Sequence, residues 1–199
     1  MDPQEESLRQ QAKVLLRRRA RGLRGSMPGD GIAARGDAIV ASLLELDVVK
    51  NATRVALFWP IKGRKEVDLR QADRALREGG ALVAYPSIDP DSRRMDFRAV
   101  DDTEQLAERG MRFSEPPSDA RIVDELDVIV VPGLLFDPRG YRIGYGGGFY
   151  DAALPRFCPP GSSVGVTFDF QLASELPNVD HDVAVDIVVT DTRVLRASD

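Results

Sequence analysis

One cysteine, one histidine and one tryptophan stand among 199 residues. The lone Cys158 rules out an intrachain disulfide. It suits a reducing compartment, and the cytoplasm is the expected home. Phe157 and Pro159-Pro160 flank it without a basic neighbour, so its thiol is expected to be inert. With His181 alone, and with no CxxC, HExxH or Ser-His-Asp order, nothing points to a protease or a zinc enzyme. His181 lies in NVDHDVAVD between expected elements, where a structural role is the commoner one. Long apolar runs are missing too. The candidate Val128 to Leu135 is strand-sized and broken by Pro132 and Gly133, far short of the roughly 18 residues of a membrane helix. The start, MDPQEES, is acidic and polar, unlike a secretory or transit signal.

What is present is ordinary in bulk and uneven in detail. Hydrophobic residues make up 43% and charged residues 30%, as in a globular protein of one domain spanning residues 1–199. Net charge is −5, yet Arg9 to Arg24 carries seven basic residues and no acid. That stretch fits either a polyanion site, nucleic acid included, or a solvated helix face. The acidic remainder speaks against broad nucleic-acid binding.

Gln4 to Arg21 reads as a helix, with Leu8, Ala12 and Leu15 or Leu16 at helical spacing and Gly22 and Gly25 ending it. A second helix is expected over Gly31 to Leu46, with Asp30 as N-cap and Ile32, Ile39, Leu43 and Leu46 on one face. RVALFW, residues 54–59, suits a buried strand. Asp68 to Glu78 is helical, Ala81 to Tyr85 a strand stopped by Pro86, and Met95 to Val100 another strand. Val128 to Val131, Val164 to Phe168 and Asp186 to Thr190 complete the strands, and a helix follows from Phe149 to Phe157. The alternation predicts an α/β fold: a single domain with a mostly parallel sheet flanked by helices, Rossmann-like in its layers. Ligands of such sheets gather at the carboxyl ends of the strands.

The sharpest motif is GYRIGYGGGFYD, residues 140–151, between a strong strand and a helix. Gly140, Gly144, Gly146, Gly147 and Gly148 permit close backbone approach, and successive N–H groups can cradle an anion. Arg142 adds positive charge. The spacing is neither Walker A nor GxGxxG, so a structural loop stays open beside a phosphate site. Asp151, in the first helical turn, could complement the helix dipole or ligate Mg²⁺ beside phosphates. Asp186, just before IVVT, could be a second carboxylate or a cap. Lys13 and Arg17, four residues apart, share a helix face, and Arg21 continues the stripe. Glu66 could cap the next helix or accept hydrogen bonds from an amino-heterocycle. Trp59 and Tyr85 end strands and could line a cleft or pack the core.

Taken together, Lys-x3-Arg at 13–17, the Glu-Val-Asp of 66–68, ALVAYP, Met95 to Phe97, Glu115-Pro116, DVIVVPGLLFDPRGYRIGYGGGFYD and PNVDHDVAVDIVVTD resemble the 5-formyltetrahydrofolate cyclo-ligase (methenyltetrahydrofolate synthetase) family over most of the chain. The resemblance implies ATP contacts at Lys13, Arg17, Arg142, Ile143, Gly144, Tyr145, Gly146, Gly147, Gly148, Phe149 and Tyr150. It implies folate contacts at Trp59, Glu66 and Tyr145 to Phe149, and Mg²⁺ at Asp151 and Asp186. Arg17, Arg142 and Tyr150 would act on the reacting groups. The implied activity is ATP- and Mg²⁺-dependent conversion of 5-formyltetrahydrofolate to 5,10-methenyltetrahydrofolate, by a monomer without nucleic-acid or membrane partners. Two departures stand out: the loop PIKGRKEVD is longer than usual, and Gly147 stands where some members carry lysine. The rivals are an ATP-dependent enzyme with another acceptor, a non-catalytic 5-formyltetrahydrofolate binder and an RNA-binding module built on the first helix.

Overall fold

The computed structural model describes residues 2–109 and 113–197. The chain runs α1 (Pro3–Ser26), α2 (Gly29–Leu44), α3 (Asp47–Lys50), β1 (Arg54–Ala56), α4 (Arg70–Glu78), β2 (Leu82–Ile88), β3 (Met95–Ala99), β4 (Ala107–Glu108) and β5 (Ser114–Glu115). It continues through β6 (Val128–Pro132), β7 (Leu135–Phe136), β8 (Arg142–Ile143), α5 (Phe149–Ala153), β9 (Ser162–Val166), β10 (Ile187–Val189) and β11 (Val194–Arg196).

The apolar runs become strands covered on both faces. Val55, Val128 and Val130 enter one core cluster, with Ile39 and Leu43 of α2, while Ala56, Ile129 and Val131 enter the other, with Phe97, Phe136 and Leu154. Alternate residues of one strand therefore feed opposite cores, so no polar face remains to interrupt the run. The main sheet has seven strands in the order β11-β10-β9-β6-β1-β2-β3. Pairings within β10-β9-β6-β1-β2 are parallel, and β11 and β3 join the two edges antiparallel. The expected mostly parallel, helix-flanked sheet is what forms. No helix among the described residues is long and apolar enough to cross a membrane.

Several local expectations give way. α1 runs through Gly22 and Gly25 to Ser26, and α2 starts at Gly29 with no side-chain cap from Asp30. Pro86 lies inside β2, opposite Phe97 of β3. The register with β1 ends at Ala84, so the missing proline N–H forfeits no ladder bond on that side. The helix after the glycine loop ends at Ala153 and tightens into a 3-10 turn at Leu154–Arg156.

Two aspartates do the same job at the N-terminal ends of the parallel strands. Asp127, just before β6, accepts hydrogen bonds from Thr53 N, Thr53 Oγ1 and Arg54 N at the start of β1. Asp186, just before β10, accepts from Ser163 N and Ser163 Oγ at the start of β9, both at 2.7 Å.

Candidate active site

A cleft of about 690 Å³ opens at the carboxyl ends of β1, β2 and β6, where Phe58, Trp59, Pro86, Ile88 and Pro132 contribute to its wall. This is the edge of the sheet where parallel α/β folds collect ligands, and the size suits a drug-sized ligand.

The glycine loop forms one wall. Gly140 anchors it: φ is +84°, and a Cβ there would lie 2.2 Å from Val185 O. Only glycine fits that approach. The β7–β8 hairpin then delivers Arg142, whose Nη2 donates to Asp151 Oδ1 at 2.8 Å and whose Nη1 donates to Val183 O at 2.6 Å. Burial pulls the Arg142 pKa downward, opposed by the Asp151 carboxylate. Residues Gly144 to Asp151 line the cleft without a break. Tyr150 brings a buried hydroxyl with no hydrogen-bond partner, and burial pushes its pKa up.

α1 forms the facing wall, with its charges turned inward. Lys13 and Arg24 are each 3% exposed, whereas Leu8 and Leu15 are 65% and 68% exposed. The expected leucine face is thus the outer face. Lys13 is bound to Asp182, and Arg17 Nε donates to Gly144 O at 3.1 Å. Gly146 takes φ +103°, and a Cβ there would come within 3.4 Å of the Arg17 guanidinium carbon, so the loop and the helix meet tightly. Each inward cation of α1 therefore meets a residue of the cleft rather than the apolar core.

In the same cleft Glu66 is buried, and both its oxygens are engaged. Oε2 accepts from Ile61 N and Oε1 from Tyr145 Oη, each at 2.7 Å. Burial and the Glu66 carboxylate push the Tyr145 hydroxyl up to about 12, against the pull of Arg24. Trp59 lines the cleft and meets Tyr85 edge to face, with centroids 6.0 Å apart. Tyr85 itself is core: its hydroxyl donates to Asp73 at 2.5 Å.

Lys13, Arg17, Trp59, Glu66, Arg142, Gly144 to Tyr150 and Asp151 all line this one cleft. Ile143 does not; its side chain is buried in the core and its carbonyl accepts from Leu134 N. Asp186 does not either. It stands at the amino-terminal edge of the sheet, with one carboxylate oxygen committed to Ser163. His181 and Asp182 do line the cleft. Asp182 was missed because a loop carboxylate in an acidic block gives no periodic sign of where it points. Cys158 lies outside the cleft, its thiol pushed up to about 12 by burial and by Asp186.

Comparison with known proteins bears on family and fold. The family model described as the 5-formyltetrahydrofolate cyclo-ligase family matches residues 9–191. The 5-formyltetrahydrofolate cyclo-ligase of Escherichia coli is 30% identical over 164 residues, covering 80% of this chain and 89% of the relative. That of Saccharomyces cerevisiae is 28% identical over 199 residues, covering 89% and 94%. The solved 5,10-methenyltetrahydrofolate synthetase of Aquifex aeolicus superposes with a TM-score of 0.81 at 30% identity, over 94% of this chain and 93% of the other. A structure from Mycoplasma pneumoniae shares the fold, with a TM-score of 0.72 at 21% identity. The sheet, the glycine loop and the match across nearly the whole chain lead to one conclusion: this chain belongs to the 5-formyltetrahydrofolate cyclo-ligase family.

Proposed function

We propose that the chain converts 5-formyltetrahydrofolate to 5,10-methenyltetrahydrofolate, using ATP and Mg²⁺ and releasing ADP and phosphate. The observation that carries this reading is that Lys13, Arg17 and Arg142, the glycine loop, and the buried Glu66 and Trp59 all line one cleft. Three cations and a loop of flexible amides suit a triphosphate. A buried carboxylate beside an indole suits a flat ring bearing an amino group and a ring N–H.

The chemistry then needs placement more than a strong base. The formyl oxygen attacks the γ-phosphorus, and ADP leaves with the electrons of the broken P–O bond. The formyl carbon is now an iminium phosphate, and the folate 10-nitrogen attacks it. The 10-nitrogen loses its proton, and phosphate departs with the C–O bond electrons. Lys13, Arg17 and Arg142 hold the phosphates and offset their charge. In this reading the Tyr150 hydroxyl, buried and without a partner, donates a hydrogen bond to a reacting oxygen. Tyr145 to Phe149 contact both substrates.

The donor set fits a Mg²⁺ carried in on the nucleotide. No group of three or more His, Cys, Asp or Glu residues among the described residues could hold a metal on its own. Mg²⁺ commonly takes one or two carboxylates, phosphate oxygens and water. Asp151 supplies the carboxylate in this reading, and Asp186 keeps its strand-start role. When bound, Mg²⁺ neutralises charge on the transferring phosphoryl group. In this reading the enzyme acts as a monomer, and the single cysteine suits the cytoplasm.

The test is the appearance of the methenyl-folate absorbance band after 5-formyltetrahydrofolate is added with ATP and Mg²⁺. Omission of either should abolish it. Stoichiometric product without ATP, or none with any nucleotide, contradicts the reading.

A further inference from the structure

We propose that Arg24 is a positioning residue for folate recognition: it is the buried counter-charge that keeps Glu66 a carboxylate acceptor and aims it into the cleft. This rests on the assignment of Glu66 to folate binding.

Arg24 sits in the last turn of α1, 3% exposed, in a run of seven basic residues that does not reveal which cation turns inward. Its Nη2 lies 3.8 Å from Glu66 Oε1 and donates to Tyr145 Oη, which in turn donates to that same Glu66 oxygen. One carboxylate oxygen therefore gathers α1, the glycine loop and the strand-end loop. Behind the pair, the space bounded by Arg24, Glu66, Thr167 and Gln171 is about 10 Å³. That is at most one water, so on this side the guanidinium, not solvent, faces the carboxylate, and solvent reaches Glu66 from the cleft.

The other charged and titratable groups near Glu66 are poorly placed to substitute. Tyr145 and Tyr150 are neutral phenols held up by burial. Arg64 and Arg21 lie over the Tyr145 ring at 5.8 and 6.0 Å, as Arg24 does at 6.0 Å, but among the described residues Arg24 alone forms an ion pair with Glu66. Lys65 is spent on the carbonyls of Gly25 and Met27. An isolated buried carboxylate takes up a proton, and a protonated one cannot accept two N–H bonds. Arg24 itself need not touch the folate to act.

The experiment is calorimetric titration of the full chain with 5-formyltetrahydrofolate, and separately with ATP, across about pH 5.5 to 8. The variants are Arg24→Met, Arg24→Lys, Glu66→Gln and the Arg24→Met/Glu66→Gln double. Wild type should bind folate with a nearly flat profile. Arg24→Met should lose about tenfold or more in folate affinity near neutrality, with the loss deepening as pH falls, because Glu66 then takes up its proton. Arg24→Lys should restore the flat profile. The double variant should be no weaker than Glu66→Gln and pH-flat, because the two changes act on one acceptor. ATP affinity should change little throughout. Should Arg24→Met fail to fold, Arg24→Gln carries the same comparison.

A pH-flat loss shared equally by folate and ATP would make Arg24 a fastener for α1 and overturn the proposal. Unchanged folate binding in Arg24→Met, with Glu66→Gln weakened, would overturn it too and leave Glu66 in the site. Unchanged folate binding in Glu66→Gln would overturn the folate assignment and this proposal together.

Discussion

α1 and α2 are the two long helices, adjacent in sequence and opposite in what they bury. α2 turns Ile32, Ile39, Val40 and Leu43 into the core, the ordinary amphipathic arrangement. α1 leaves Leu8, Val14, Leu15 and Leu23 exposed and turns Lys13, Arg17 and Arg24 to the cleft. Among the described residues of α1 only Ala20 is a buried apolar side chain, and none belongs to either core cluster. One helix is therefore an investment in stability and the other in ligand binding. Periodicity alone cannot separate them, because both carry apolar residues at helical spacing.

The largest expected effect breaks the α2 side. Leu43 is fully buried, and Leu43→Ala should cost roughly 2–5 kcal/mol in denaturant unfolding, while the molecules that remain folded keep normal turnover. Next comes the cleft. Asp151→Asn removes a carboxylate paired with Arg142, and turnover should fall on the order of a hundredfold. Raised Mg²⁺ should recover part of that loss. An unchanged rate at every Mg²⁺ concentration in steady-state assays would reduce Asp151 to a partner for the helix dipole and Arg142.

A smaller effect separates the two ends of the sheet. Burial works against ionisation of Asp127, but the Arg54 guanidinium, Thr53 and the Arg54 amide outweigh it and hold its pKa down at about 2. A group with a lowered folded pKa stabilises above its unfolded value and loses that contribution as pH falls through the folded one. Thermal stability should therefore decline between about pH 4 and pH 2, less steeply in Asp127→Asn. The effect should be modest because the Asp127 side chain is 31% exposed, where solvent screens the pair. An identical acid profile in the variant would remove Asp127 from the account. The smallest effect is on the outer face of α1: Leu15→Gln should move stability by less than about 0.5 kcal/mol and leave turnover alone. A loss as large as that of Leu43→Ala would mean that the stripe packs against something.

The sequence made the sheet legible where burial on both faces leaves an unbroken apolar run, as in RVALFW and DVIVVP. GYRIGYGGGFYD was legible because a close backbone approach demands glycine at Gly140 and a positive φ favours it at Gly146. Pro86 misled because a proline reads as a strand end unless its neighbour strand is known to stop first. Asp182 and Asp186 lie four residues apart in one acidic block, yet one lines the cleft and the other clasps Ser163. The chain reverses edge between them, and no local pattern encodes that. Arg24 was equally hidden, since a helix made of arginines on several faces does not announce which one is buried.

The claim that α1 belongs to the active site is tested most directly by the Michaelis constant for ATP of Lys13→Met, measured alongside its melting temperature. Loss of a charge-assisted contact costs roughly 1.5–3 kcal/mol, so the constant should rise about tenfold or more at a temperature where the variant, its melting lowered by the unpaired Asp182, is still folded. Normal ATP kinetics, or a loss explained entirely by unfolding, would contradict the account.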